Sequence, residues 1–329
     1  MSTLVIVIVG LAFLYDFING MNDAANSVAT VVATRVLSPF VAVLWAALFN
    51  FAAYFLFGLN VANTMGKGII QPHVVEPWLI FSALLGASAW SYFCTHFGLP
   101  ISVSHALIGG MVGPAWFAYG ASSVVASGIL NVVIFIFVSP LIGFVLGYLL
   151  MILIKHILKR VKPANVDSWF RALQLLSSAL FSLGHGSNDA QKTMGIIAVL
   201  LFSTGYLGSE FYVPEWVAFS CYIAIALGTL TGGWKVIKTM GVNLTDLKPV
   251  HGFAAETAGA ITLGMSAFMG IPVSTTHTIS GSIMGVGVTR RVSAVRWKVA
   301  QNIIGAWILT IPMTMIISGL LYLLIRVFV

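Results

Sequence analysis

Two Asn-Asp pairs stand inside long apolar stretches of this sequence. Asn22-Asp23 and Asn188-Asp189 each occupy the middle of a run whose other residues suit a membrane interior. An ionised carboxylate at that depth is costly unless it is paired or hydrated, and such residues are functional by default. Carboxylate and amide oxygens are ligands that hard cations such as Na⁺ take. The pairs therefore indicate cation sites, and the competing structural interpretation is a helix cap at a kink.

A second motif is also duplicated. Residues 98–105 read GLPISVSH, and residues 270–277 read GIPVSTTH. Proline at the first helical position is typical of a helix start, and the free N–H groups and dipole of a buried helix N-terminus favour an anion. A single copy would indicate only helix packing by serine and threonine, but two copies in register predict an anion site. Its candidate ligands are the hydroxyls of Ser102, Ser104, Ser274, Thr275 and Thr276.

The charges that accompany these motifs are unbalanced. Asp23, Asp189 and Glu256 are three acidic residues in apolar spans, and a single lysine, Lys192, follows the second pair. Three carboxylates would repel an anion unless cations bind with it, so the electrostatics predict cation-coupled uptake of an anion. Lys192 can pair with Asp189 or lie near the anion, and the sequence does not decide between these positions.

Histidines and one further aspartate lie close to the motifs. His105 and His277 lack the cysteine or histidine partners of a metal site, so we expect their rings to satisfy backbone groups of the hairpins. His185 precedes the second pair, where a change in its charge could serve proton coupling. Asp16 lies one helical turn before Gly20 and could belong to the same cluster.

Composition identifies the solvent of this chain as lipid. Only 8% of the 329 residues are charged, whereas 59% are hydrophobic, and this excludes a soluble domain. The net charge of +7 comes from basic residues that lie mostly in short loops, so we expect no nucleic-acid partner. We predict an all-α polytopic membrane protein with about 10–12 segments. The apolar spans are 3–34, 39–60, 78–97, 124–154, 170–204, 216–234, 251–269 and 299–325, with shorter runs after Pro100 and Pro272.

The two halves of the chain are similar to each other. NGMNDA at 19–24 matches HGSNDA at 185–190, the GLP and GIP motifs match, and Thr64-Met65-Gly66 matches Thr239-Met240-Gly241, all in the same order. Such self-similarity indicates a duplication. Because Gly20 and Gly186 precede the Asn-Asp pairs, we expect a broken helix there in each half, as in secondary transporters.

Basic loops predict the orientation of the halves. By the positive-inside rule, the loops rich in lysine and arginine are cytoplasmic, which puts both chain termini outside. The first half then starts outside and the second starts inside, so the repeats must be inverted. We predict a first repeat at 1–154, a cytoplasmic linker at 155–168 and a second repeat at 169–329.

Together these motifs resemble the inorganic phosphate transporter (PiT) family, in particular its prokaryotic sodium/phosphate symporters. The family carries a GxNDxxN-type motif and a G-[LI]-P-[IV]-S-x-[ST]-H hairpin in each half, and the similarity spans essentially the whole chain. The resemblance implies a secondary transporter of the cell (inner) membrane, not an enzyme, with two helical hairpins near the midplane. It implies inorganic phosphate as the substrate, Na⁺ as the coupling ion, surrounding lipid and a possible homodimer.

The resemblance also assigns residues to two sets. It implies phosphate ligands at Asn22, Asn188, Ser102, Ser104, Ser274, Thr275 and Thr276, and sodium ligands at Asp23, Asn26, Asp189 and Glu256. Two positions depart from the family pattern. Phe49-Asn50 stands where many members have Phe-Glu, and Lys192 in the second half corresponds to Asn26 in the first.

Other functions remain open from the sequence. The same fold could couple to H⁺ and carry phosphate, a metal-phosphate complex or sulfate. An intramembrane enzyme could use His185 or His277 as acid or base, although catalysis does not require duplicated motifs. A channel would differ from a carrier by fast flux that does not saturate.

Overall fold

The structure is a computed structural model that describes residues 1–56, 58–59, 61–62, 68–271 and 273–328. Within these ranges the chain forms helices and turns, and no β-strand is present. The matching Thr64-Met65-Gly66 triplet and Pro272 lie outside the described residues. The expectation of an all-α membrane protein is confirmed.

Eleven α-helices occur in the described part of the chain, and their bounds follow the apolar spans. They are α1 (Thr3–Ala33), α2 (Pro39–Ala52), α3 (Pro77–Phe97), α4 (Val103–Tyr119), α5 (Ala126–Ile157), α6 (Pro163–Ser203), α7 (Glu215–Thr231), α8 (Trp234–Lys238), α9 (Pro249–Phe268), α10 (Thr275–Val288) and α11 (Trp297–Ile325). By length and hydropathy, α1, α3, α5 and α11 can each cross a membrane alone. The α7–α8 pair, bent by 66°, is a fifth candidate span.

The helices that carry the Asn-Asp pairs are continuous. Both α1 and α6 run unbroken through their motifs, so the prediction of helix breaks at Asn22 and Asn188 is wrong. The preceding glycines have a different role, since a Cβ on Gly20 would lie 2.1 Å from the Ile225 oxygen and one on Gly186 would lie 2.4 Å from the Asn50 oxygen. These glycines let helices from opposite halves cross at backbone contact. The described breaks lie instead between α3 and α4, between α7 and α8, and between α9 and α10.

Each hairpin helix packs against the last helix of the other half. Helix α10 contacts α5, and α4 contacts α11, more extensively than other helix pairs. Small residues at four-residue spacing form both contacts: a Cβ on Gly281 or Gly285 would lie 2.1 or 2.0 Å from a carbonyl oxygen of α5, and one on Gly113 would lie 2.2 Å from a carbonyl oxygen of α11. The two halves therefore interlock in equivalent ways, as expected for a duplicated chain.

Contacts near the helix ends show which loops lie at the same end of the bundle. At one end, Arg171 donates to the Arg35 oxygen, and Lys155 donates to the Thr289 oxygen, so basic loops from both halves meet. At the other end, the Ser2 amide donates to the Tyr206 hydroxyl. The linker between the halves is short, because α5 extends to Ile157 and α6 begins with a proline at its first turn.

The close helix crossings make a testable prediction about packing. We expect Gly281→Ala to destabilise the protein by about 1–3 kcal/mol, because its methyl group would overlap the Pro140 carbonyl oxygen. The control is Gly264→Ala, since a Cβ there meets no atom within 4 Å. Thermal unfolding of the two purified variants in detergent measures the difference, and equal melting temperatures would contradict the close contact.

Candidate functional site

The two hairpin helices begin at the centre of the molecule. Ser102 caps α4 by accepting a hydrogen bond from the His105 amide at 3.2 Å, and Ser274 caps α10 by accepting one from the His277 amide at 3.3 Å. The rings of these two histidines lie 4.9 Å apart between centroids. The two helix N-termini therefore converge, as the duplicated motif predicts, and the histidines meet between them. The His277 Nδ1 atom lies 3.3 Å from the Ile136 carbonyl oxygen, so its backbone partner belongs to α5 and not, as expected from the sequence, to the hairpin itself.

Both aspartates of the Asn-Asp pairs meet at this point. Asp23 on α1, with His185 and Asp189 on α6, offers a set of ligand atoms that lie within 4.8 Å of one another, and all three residues are buried. The His185 Nε2 atom lies 3.2 Å from the Asp189 Oδ2 and 3.9 Å from the Asp23 Oδ2. The crossing of α1 and α6 thus brings together two acidic residues that are 166 positions apart in the chain.

Hydroxyls from the second hairpin contact both carboxylates. The Thr275 hydroxyl lies 3.1 Å from Asp189 Oδ2 and 3.3 Å from Asp23 Oδ2, and the Thr276 hydroxyl lies 3.3 Å from Asp23 Oδ1. The Asn26 amide donates to both threonines, at 3.2 and 3.0 Å. A hydroxyl has one proton, so Thr275 can donate to only one carboxylate at a time.

The tautomer of His185 follows from a residue of the first half. The Asn50 Nδ2 donates to the Thr229 hydroxyl at 2.9 Å, which turns its carbonyl oxygen toward His185 Nδ1 at 3.0 Å. His185 must therefore carry a proton on Nδ1. A neutral ring would then present the lone pair of Nε2 to the Asp189 carboxylate. A proton on Nε2 or a bound cation resolves this repulsion.

Lys192 is fixed beside the cluster. Its Nζ donates to Asp189 Oδ1 at 2.7 Å, to the Ser104 hydroxyl at 2.6 Å and to the Val273 carbonyl oxygen at 2.9 Å. The sequence left two positions for this lysine, and in the structure it pairs with Asp189. With His185 neutral, the two aspartates and Lys192 give the cluster a net charge of −1.

Several buried amide atoms of this region have no hydrogen-bond partner among the described residues. They are the Oδ1 atoms of Asn22 and Asn26 and both polar side-chain atoms of Asn188. The Asn22 Nδ2 donates to the Thr95 hydroxyl at 2.6 Å. Buried polar groups in folded proteins are nearly always hydrogen-bonded, so this group of unpaired amides beside two carboxylates is the chemistry of a polar binding site.

Glu256 and Asp16 lie outside this cluster. Glu256 accepts hydrogen bonds from Thr30 at 2.5 Å, Gln174 at 3.0 Å and Ser177 at 2.5 Å, which joins α1, α6 and α9. Asp16 accepts one from Thr193. Asp16, Asp23 and Thr30, the partner of Glu256, recur every seven residues along α1. The three positions therefore follow one another at intervals of about 10 Å along that helix. Sodium binding by Glu256 stays a prediction.

Sequence reasoning missed some of the residues that shape this site. The sequence marked Asn50 only as a departure from the Phe-Glu pair of the family, and nothing in it indicated a role for Thr229. Their roles depend on contacts across 135 and 179 residues. A polar asparagine within the apolar run 39–60 is the sequence signal that could have indicated Asn50.

The two halves are similar to each other, and they bring broken spans and buried ionisable groups to one central point. This is the organisation of a secondary transporter. Residues 19–318 match the phosphate transporter family. The chain belongs to this family.

Individual relatives are similar in sequence to this chain over nearly its full length. A protein of Rhizobium meliloti (strain 1021), named a probable low-affinity inorganic phosphate transporter, is 57% identical over 97% of this chain and 96% of its own length. One of Bacillus subtilis (strain 168) with the same name is 40% identical over 98% and 97%. A solved structure described as the sodium-dependent phosphate transporter is 27% identical and matches all of both chains with a TM-score of 0.90. These relatives are transporters, so the expectation of a transporter rather than an enzyme is confirmed.

The network around Glu256 makes the second prediction. We expect Ser177→Ala to lower stability by about 1.5–3 kcal/mol, because its hydroxyl donates to the Glu256 carboxylate. Ser178→Ala is the matched control, since the neighbouring serine is also buried but donates to a backbone oxygen, that of Leu175. Thermal unfolding of both variants measures the effect. An equal loss of stability would show that the Glu256 contact contributes nothing specific.

Proposed function

We propose that this chain is a sodium-coupled transporter that takes up inorganic phosphate by alternating access. The observation that carries the proposal is the cluster of Asp23, Asp189 and Lys192, which lies against the N-termini of two hairpin helices. With both carboxylates ionised and His185 neutral, its net charge is −1. An anion can bind there only if a cation removes the excess negative charge.

Phosphate fits the polar groups around the hairpins. Two helix N-termini supply backbone N–H groups and positive dipole ends. Ser102 and Ser274 accept hydrogen bonds from the backbone, and among the described residues neither hydroxyl donates one, so both protons are available to an anion. The Asn188 amide, whose two polar atoms have no partner among the described residues, adds a further donor. The Asn22 Nδ2 would first have to leave the Thr95 hydroxyl. A tetrahedral oxyanion accepts such convergent donors at several oxygens.

Sodium fits the remaining oxygens. Among the described residues, Asp23 has no lysine partner and the Asn26 Oδ1 has no hydrogen-bond partner. Carboxylate, amide and hydroxyl oxygens in this arrangement suit a hard cation. The name of the structural neighbour, a sodium-dependent phosphate transporter, supports Na⁺ as the ion.

A proton is the second candidate for the coupling ion, and His185 favours it. With Nδ1 protonated toward Asn50, a proton on Nε2 would give the ring a positive charge at 3.2 Å from Asp189. The cluster would then be neutral without a metal ion. Phosphate uptake is measured with a Na⁺ gradient and no pH gradient, and then with a pH gradient and no Na⁺ gradient. The gradient that drives uptake identifies the coupling ion.

The proposed setting is the cell membrane, with the basic loops inside and both termini outside. The contacts that join Arg35 to Arg171 and Ser2 to Tyr206 support this orientation. Each contact joins two segments that the positive-inside rule puts on the same side of the membrane. Alternating access would move the interlocked halves about the central cluster. A homodimer is also part of the proposal, and crosslinking in membranes tests it.

The third prediction concerns the two aspartates. We expect Asp23→Asn and Asp189→Asn each to reduce gradient-driven phosphate uptake by at least about tenfold, because each removes a charge that balances the coupled cation. Asp246→Asn is the control, since Asp246 is exposed and pairs with Arg296 at the surface. Uptake of labelled phosphate by proteoliposomes is the measurement. Full Na⁺-driven uptake by both cluster variants would refute the proposed coupling.

The fourth prediction concerns the hairpin serines. We expect Ser102→Ala and Ser274→Ala to raise the phosphate KM about tenfold, because each loses a donor to the anion and a helix cap. Ser318→Ala is the control, since this buried serine donates to the Thr314 oxygen and lies beside Gly113, toward the other end of α4. The half-saturating Na⁺ concentration should change much less than the phosphate KM. An unchanged phosphate KM in both variants would exclude these hydroxyls as ligands.

A further inference from the structure

The two halves of the site are not equivalent in charge. Each aspartate is followed three residues later by a different polar side chain, Asn26 after Asp23 and Lys192 after Asp189. Asn26 contributes a neutral amide whose oxygen has no partner among the described residues. Lys192 contributes a full positive charge at the corresponding position.

The ammonium group of Lys192 is coordinated as a bound cation would be. It is 1% exposed, and its three oxygen neighbours come from three different elements: α6, the start of α4 and the segment before α10. One neighbour is a carboxylate, one a hydroxyl and one a backbone carbonyl. These are the ligand types that a hard metal cation takes in proteins.

The same contacts leave no donor for the anion. A lysine ammonium has three N–H groups, and Asp189, Ser104 and Val273 accept one each. A phosphate ion could bind the ammonium only by displacing one of these acceptors. Neutralisation of Asp189 is therefore the better explanation of this lysine than direct recognition of the substrate.

We propose that Lys192 is a built-in cation that occupies, in the second half, the place where a coupling ion would otherwise bind. The inference rests on the proposed cation-coupled function and concerns its stoichiometry. The protein moves one coupling cation fewer per phosphate than it would with an asparagine at position 192. The lysine remains with the carrier when the substrate leaves, so its charge is never transported.

The test compares coupling ratios. Lys192→Asn places in the second half the residue that the first half has at Asn26, and Lys192→Gln carries the same amide on a side chain of nearly lysine length, in case the smaller residue prevents folding. Reversal-potential measurements on proteoliposomes, with labelled phosphate and set gradients of Na⁺ or H⁺, give the number of coupling cations per phosphate. We expect this number to rise by one in either variant that folds.

Two further variants separate the charge from its ligands. Lys192→Met removes the charge and supplies no oxygen ligand, so we expect uptake to fall at least about tenfold because Asp189 is left buried and unpaired. Lys235→Asn is the control, since Lys235 is exposed and donates to the His96 oxygen rather than to an acidic side chain, and it should keep the wild-type ratio.

The outcomes distinguish the inference from the proposed function. If the wild-type protein accumulates phosphate with neither gradient, cation coupling itself is wrong. If the wild-type protein is gradient-driven but Lys192→Asn and Lys192→Gln keep its coupling ratio, the built-in cation is refuted and the proposed function stands. An unchanged ratio combined with a raised phosphate KM would identify Lys192 as a phosphate ligand instead.

Discussion

The burial of two carboxylates against each other governs the rest of this structure. Asp23 and Asp189 lie in the same cluster, shielded from water, and both contact the Thr275 hydroxyl. Two negative charges at that separation in a medium of low dielectric constant repel strongly, and neither can be left unpaired. Lys192 offsets one of them. With both carboxylates ionised and His185 neutral, the residual negative charge would make binding of a cation and of an anion mutually dependent, which is the physical basis of the coupling proposed for this site.

Backbone contact between the halves makes this cluster possible. Glycines precede both Asn-Asp pairs because another helix passes within contact distance of each, and the hairpin helices meet their partners through glycines at four-residue spacing. In a membrane the hydrophobic effect does not drive helices together, so small residues and close packing do so instead. Each hairpin is held mainly by the last helix of the other half. The central site is therefore shared by both halves.

Hydropathy located the helices because the length of an apolar run is a local property. Runs such as 3–34 and 299–325 became α1 and α11 almost to the residue, and the short runs after the two hairpin prolines became α4 and α10. The glycine before each Asn-Asp pair was wrongly interpreted as a helix break. A sequence does not distinguish a glycine that breaks a helix from one that lets another helix approach closely. The structure distinguishes them through the positions of the Ile225 and Asn50 oxygens.

The sequence by itself determined that the chain lies in lipid, where its helices are, that its halves share motifs and which residue types supply the chemistry. Only the tertiary structure decided how those residues combine: that Glu256 belongs to a separate network with Thr30, that Asn50 sets the tautomer of His185, and that Lys192 neutralises Asp189. Residue type and burial follow from local composition. Pairing follows from where distant helices cross, and side chains 135 or 226 positions apart meet only through that geometry.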